Sequence, residues 1–258
     1  MVRFRRQGFH QQATAVLCCL SFHISFCTLA ADKLRFVLYY PQVPPYMYVD
    51  QQTNKVVGLV PELLEEHFSD EKVKLEFILD NRRGAEHRLY SGDVDAMLLA
   101  PEWTQKPQQL IFSDVLLQHR DYLFALKPFA IGSSIKDWLA GKTVCTRQYY
   151  VYEVLEPFFR QHNTTRVDAS SELAQMKMLL SGRCDYAYIN EHVARWLQQH
   201  QFADTALYQS PEHFGEVALR VAFHPGWQPY LRGFNQYLAR QHQKNNISKK
   251  LEFYIQQR

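Results

Sequence analysis

One phrase occurs twice in this chain and limits what it can fold into. Leu89-Tyr90-Ser91-Gly92-Asp93-Val94-Asp95-Ala96 and Leu179-Leu180-Ser181-Gly182-Arg183-Cys184-Asp185-Tyr186 share one plan. In each, a helix ends at Ser-Gly and an Asp opens a strand. The surroundings repeat as well. Residues 34–40 are β-branched, aromatic and apolar and are stopped by Pro41, which predicts a buried strand. Leu59, Leu63, Leu64 and Phe68 fall at helical spacing over 58–68, with Pro61 tolerable in a first turn. A strand over 73–79, a short helix over 86–90 and a strand over 95–100 follow. The pattern then returns, with a segment at 135–139, a turn at Gly141-Lys142, a strand over 143–146, helices over 152–162 and 172–180, a strand over 185–189 and a helix over 191–200. Such alternation predicts an α/β fold with parallel-rich sheets flanked by helices. Two similar units joined by the extended segment 121–127 imply two lobes with a cleft between them. A strand over 217–223, a helix over 230–242 and a last helical stretch with a solvated, Gln-rich end complete the chain.

The first 31 residues hold Arg3, Arg5 and Arg6 but no acidic residue, and the formal charge of +3 is theirs; the remainder is neutral. A neutral mature protein offers no electrostatic case for nucleic acid or an anionic membrane surface. The basic start, the apolar stretch over 13–29 and the small residues Thr28 and Ala30 predict a signal peptide over 1–30, cleaved near Ala30. A membrane anchor would need roughly 20 apolar residues, whereas this stretch is shorter and carries His23. The expected location is therefore the periplasm. Cleavage would remove Cys18, Cys19 and Cys27 and leave Cys145 and Cys184. An oxidising compartment permits a bridge, but the sequence does not place their Cα atoms within reach. Two unpaired buried thiols are the favoured expectation.

Known catalytic and metal patterns are missing from the sequence: there is no Gly-x-Ser-x-Gly elbow, no His-Glu-x-x-His helix and no phosphate-cradling Gly loop. No metal, cofactor or catalytic residue is expected. His192 and His200 share a helix face read as solvated. Glu62, Glu65 and Glu66 form an exposed acidic face. Asp95 and Asp185 are expected to tie strand starts to neighbouring amides, and Asp114 and Asp121 to flank the crossover.

An ordered set of short elements resembles the periplasmic solute-binding proteins of the amino-acid-binding type (family 3), receptors of ABC importers. The set comprises Pro44-Pro45-Tyr46, Gly58-Leu59-Val60-Pro61-Glu62-Leu63, Ser91-Gly92-Asp93-Val94-Asp95-Ala96, Phe112-Ser113, Leu139-Ala140-Gly141-Lys142-Thr143-Val144 and Ser181-Gly182-Arg183-Cys184-Asp185. The resemblance implies a two-lobed type II periplasmic-binding-protein fold on a two-strand hinge. Lobe 1 would comprise 32–125 plus 215–258, and lobe 2 would comprise 126–214. It further implies a monomer that closes on a small-molecule solute and docks on an ABC permease or a membrane sensor.

The resemblance also assigns positions in the cleft. The Arg that grips an α-carboxylate in such relatives is here Lys106, which keeps the charge but lacks the planar fork. The hydroxyl-bearing residues before it are Leu98-Leu99-Ala100-Pro101, so at Ala100 only main-chain groups can bind. The Asp that receives a ligand ammonium is Asn190, and Tyr149-Tyr150 replaces a small Gly-Thr pair and would intrude into the cleft. With Tyr40, Tyr46 and Trp103 these residues predict an aromatic-lined cleft. An α-amino acid held by both charged ends is not expected; a polar, aromatic or carboxylated solute is. Alternatives are a periplasmic sensor feeding a membrane partner, or a cyclohexadienyl-dehydratase-like enzyme on the same fold, for which the sequence supplies no assignable general acid.

Overall fold

The computed structural model describes residues 33–40, 42–161 and 163–257. The candidate signal peptide lies outside them. In the first part of the chain, β1 (Lys33–Tyr40) leads through the short pair β2 (Tyr48–Val49) and β3 (Val56–Val57) to α1 (Leu59–Asp70), and then to β4 (Lys74–Asn81), α2 (Arg82–Ser91) and β5 (Ala96–Leu99). After β6 (Ile111–Phe112) come the long β7 (Leu117–Ala125) and α3 (Ile135–Leu139). The second part runs β8 (Thr143–Arg147), α4 (Glu156–Gln161), β9 (Thr165–Ala169), α5 (Glu172–Leu180), β10 (Tyr186–Asn190) and α6 (Glu191–Gln201). Last come β11 (Tyr208–Gln209), β12 (Gly215–Phe223), α7 (Gln228–Gln243) and α8 (Asn246–Gln256).

One sheet holds these strands in the order β4-β1-β5-β12-β7-β10-β8-β9, with β6 beside β12 and β11 beside β7. Strand β1 is parallel to β4 and β5, and β8 is parallel to β9 and β10. Each half is thus a β-α-β-α-β unit with its first strand in the middle. Between them, β12 and β7 are antiparallel to their neighbours: residues 215–219 of β12 pair with β7 and residues 220–223 pair with β5. The fold is α/β with a parallel-rich sheet, as the sequence predicts.

The repeated phrase has one physical cause in both places. Gly92 and Gly182 adopt the left-handed conformation, at φ of 77° and 72°. Beyond them the amides of Asp93 and Arg183 return to the carbonyls of Arg88 and Met178, both at 2.9 Å. This is the helix-ending pair of bonds that a residue with positive φ permits. The following Asp then ties the next strand to its neighbour. Asp95 accepts from the Arg35 amide at 2.7 Å and Asp185 from the Thr143 amide at 2.9 Å. Arg35 adds a two-pronged grip on Asp95, with Nε and Nη2 each 2.8 Å from a carboxylate oxygen, and Lys142 reaches Asp185 at 3.1 Å. Burial by itself would raise both carboxyls, yet these donors hold them below the ordinary Asp value.

Gly58 explains the first motif. Its φ is 125°, and a Cβ there would stand 2.6 Å from the Tyr46 carbonyl oxygen. The close approach lets the Leu59 and Val60 amides donate to the Pro45 and Tyr46 carbonyls at 3.1 and 2.9 Å. The Pro44-Pro45-Tyr46 loop thereby satisfies amides that the start of α1 would leave open. At the far side, Lys250 of α8 pairs with Glu62 and Glu66, so part of the acidic face of α1 is a helix–helix contact.

The cysteine expectation is corrected: Cys145 and Cys184 form a disulfide with Cα atoms 5.8 Å apart. Cys145 lies on β8, and the parallel register that sets Ala187 against Cys145 brings the turn before β10 beside it. Closing this loop contributes about 4 kcal/mol in the chain-entropy account. Among the described residues, no helix is long and apolar enough to cross a membrane.

Two outcomes follow for stability. Gly58→Ala should lose about 2 kcal/mol or more in denaturant melts, because both the space and the φ are unavailable to alanine. Asp95→Asn should cost about 2–3 kcal/mol at neutral pH. A depressed carboxyl stabilises the fold above its unfolded value and loses that contribution as pH falls through its folded value. The wild-type advantage should therefore begin to shrink below about pH 4 in urea melts and be gone once pH has fallen through the depressed folded value.

Candidate functional site

The parallel strands of both halves end in the same region, and the residues at those ends carry most of its chemistry. Such carboxyl edges are where α/β sheets bind ligands. In the first half, Tyr39 is near the end of β1, Arg82 immediately follows β4, and Trp103 lies in the turn Pro101–Trp103 after β5. In the second half, Arg147 ends β8, Glu172 opens α5 just after β9, and Asn190 ends β10.

The side chains of the two halves meet at Tyr46. Its buried hydroxyl lies 2.8 Å from Asn190 Oδ1 and 3.0 Å from His192 Nδ1. With Tyr46 donating to Asn190, the ring nitrogen that meets the same oxygen is a donor, so His192 carries its proton on Nδ1. Burial lowers the His192 pKa to about 4, aided by the Arg195 and His119 charges, and the ring is neutral at pH 7. Its expected solvated face is thus replaced by a largely buried one, while His200 stacks on Trp196 with ring centroids 4.3 Å apart.

Asn190 is only 4% exposed and its amide is heavily used. Besides Tyr46, its oxygen accepts from the His192 and Val193 amides at 3.0 and 3.2 Å, capping α6. Its nitrogen donates to the Arg120 carbonyl at 3.0 Å. Three donors on one oxygen leave no lone pair for a ligand ammonium.

Trp103 packs edge-on against His119 at 4.9 Å, and His119 in turn faces Tyr46 at 6.2 Å. His119 Nε2 lies 3.2 Å from Asp121 Oδ1, and its Nδ1 is buried without a hydrogen-bond partner. Arg82 lies over the Tyr39 and Trp103 rings, 6.0 and 5.8 Å from their centroids, and donates through Nη2 to the Trp103 carbonyl at 2.9 Å. Arg147, 8% exposed, has its Nε 3.2 Å from a Glu172 oxygen and its guanidinium 5.6 Å from the Tyr150 ring centroid. Burial raises the Glu172 carboxyl against the pull of Arg147.

Of the residues singled out in the sequence, Tyr46, Trp103 and Asn190 meet around His119 and His192, and half-buried Tyr150 sits under Arg147. Ala100 is fully buried, and its carbonyl accepts from the Trp103 amide at 3.0 Å. Three residues point elsewhere. Lys106 is exposed, with Nζ over the Tyr90 ring at 5.6 Å. Tyr40 is 66% exposed and Tyr149 is 92% exposed. Tyr149 does not intrude: it keeps a left-handed φ of 67°, the conformation that suits the glycine of the relatives, and directs its ring to solvent. Arg82, His119, Arg147 and Glu172 were not named from the sequence, and His192 was read only as part of a solvated helix face. The signal that could have found Arg82 and Arg147 is their place just past, or at, the carboxyl end of a parallel strand.

No protein-family model and no curated protein sequence matches the chain. Solved structures do. The substrate-binding protein of an amino acid ABC transporter superposes with a TM-score of 0.68 at 19% identity, over 87% of this chain and 100% of that one. A putative ABC-transporter binding component from Wolinella succinogenes, complexed with lysine, gives 0.73 at 18%, over 86% and 95%. The chain has the type II periplasmic-binding-protein fold. A histidine kinase sensor domain similar to periplasmic binding proteins shares this fold, with a TM-score of 0.68 at 19% identity over 87% and 96%. Within the periplasmic-binding-protein fold, the carboxyl edges described above lie on both sides of the two long antiparallel strands.

His192 gives the site a pH signature. Its folded pKa lies below its unfolded value, so the fold binds fewer protons than the unfolded chain between about pH 6.5 and 4. Stability should therefore fall as pH drops through that window, by up to about 3 kcal/mol for this group. His192→Asn, which retains a donor near Nδ1, should flatten the slope in pH-dependent urea melts. His67, also held neutral by burial, should leave part of it.

Proposed function

We propose that the protein is a periplasmic solute-binding protein that captures a small solute between two lobes and delivers it to the permease of an ABC importer. The lobes are residues 32–125 with 215–258, and residues 126–214; residues 1–30 direct export. The observation that carries this reading is the Tyr46–Asn190–His192 contact, which joins the loop after β1 to the end of β10. It brings side chains of both halves together at the sheet edge where such folds hold ligands. A solute there can gain contacts from both halves only when they are closed, and that difference in contacts drives closure. The solved ABC-transporter binding proteins of the same fold support the assignment.

The sensor domain of the same fold favours a second partner, a membrane sensor in place of a permease. The capture step is unchanged in that case. The dehydratase-like reading would ask Glu172 to act as the general acid, its carboxyl raised by burial against the pull of Arg147. Prephenate turnover, followed by product absorbance, would replace the binding reading with that one.

A thermal-shift screen of amino acids, aromatic acids, polyamines and short peptides should find a stabilising solute, worth about 3 kcal/mol at a hundredfold excess over Kd. Small-angle scattering should show the protein contract with that solute. Failure of every class to shift the melt would remove the proposal.

A further inference from the structure

Most partly buried guanidinium groups here meet a carboxylate; Arg82 and Arg220 meet a main-chain carbonyl instead. Arg35, Arg88, Arg120, Arg147, Arg166 and Arg195 each pair with a carboxylate. Arg82 makes no ion pair among the described residues, although it is partly buried and its Nε is shielded from solvent without a hydrogen-bond partner. Its one polar contact is the Trp103 carbonyl. A cation withdrawn from water in this way is costly unless an anion meets it. Its position adds to that cost. Arg82 is the first residue of α2, Arg83 is the second, and the first turn has no acidic residue. Two cations at the positive end of a helix destabilise it. Asp80, the nearest acid in sequence, is engaged by the Asn81 amide and by Arg88.

The surroundings of Arg82 connect it to the other half of the site. Tyr39, beneath its guanidinium, lies within electrostatic reach of Tyr150, Glu172 and Arg147. Trp103, on its other side, touches His119, which Glu172 also senses. The pairing across this region favours one kind of ligand. Arg147 meets Glu172, whereas Arg82 has no carboxylate partner among the described residues. Asn190 has no lone pair to offer an ammonium.

We propose that Arg82 is the ligand anchor: it binds the carboxylate of a small acid that has no α-ammonium group, with the planar or apolar body of that acid lying against Tyr39, Trp103 and Tyr150. This rests on the solute-binding reading above and names the class of solute. The anchor lies at the corner between β4 and α2, whereas the resemblance drawn from the sequence pointed to Lys106. The guanidinium supplies the planar fork that Lys106 lacks.

The test pairs probes that share a skeleton: phenylpyruvate against L-phenylalanine, and phenylacetate against phenethylamine, by calorimetry and thermal shift at concentrations up to millimolar. The keto acid and the arylacetate should bind, and the amine should not. Arg82→Gln should weaken the carboxylates about ten- to hundredfold. Arg82→Lys, which keeps the charge and guards against a misfolded glutamine variant, should still lose affinity several-fold. Arg83→Gln, an exposed neighbour of equal charge, should leave binding unchanged. The inference is overturned if no carboxylate binds, if the amine or amino acid binds better than its acid, or if the Arg82 variants keep wild-type affinity. In those cases a solute found by the broader screen would leave the solute-binding reading standing. If that screen is also empty, both fall.

Discussion

Strands β7 and β12 hold the two halves of the molecule in one hydrogen-bonded sheet, and the site depends on that register. Each is nine residues long and changes partner along its length. β12 passes from β7 to β5, while β7 passes from β12 to β10 at Asp121. Two antiparallel strands of this kind fix where the carboxyl ends of six parallel strands lie, and α6 packed on α8 through the Arg195–Glu252 pair joins the halves a second time. A shift of one residue in either pairing would turn alternate side chains to the other side of the sheet. It would also separate Asn190 from the Arg120 carbonyl that its amide uses.

Within that frame, polar groups at the junction are chosen so that few are left over. Tyr46, Asn190 and His192 form a hydrogen-bonded set, and the neutrality of His192 follows from its burial. Arg147 and Glu172 form a second set. Arg147 Nε has its Glu172 ion pair but no hydrogen bond, and the buried nitrogens of Arg82 and His119 are likewise unbonded, although such atoms are normally bonded. The Arg82 and His119 side chains both contact Trp103.

Local chemistry was the legible part of the sequence. The Ser-Gly phrases and strand-opening Asp residues act within a few positions of themselves, and both copies are bonded as their residue types suggest. What escaped depended on distant register. Strand β9, Thr-Arg-Val-Asp-Ala at the sheet edge, is half-exposed and shows no apolar run, so Glu172 could not be seen as a strand-end residue. Pairing of Cys145 with Cys184 required the β8–β10 register, which no spacing encodes. Tyr149 was misplaced for another reason: its left-handed backbone is not legible in the residue type, and its ring is turned to solvent.

Under the proposed anchoring by Arg82, the corner after β4 takes the role that the resemblance gives to the corner after β5. Leu98, Leu99 and Ala100 are buried and apolar, so the β5 end offers a wall rather than hydroxyl donors. Charge is concentrated instead at Arg82, with an aromatic ring to either side. A ligand with charges at both ends would leave one of them desolvated against that wall or against the filled Asn190 amide. A ligand with one charged end and a planar body meets a cation at one side and rings along its length, and no buried charge is left unmatched.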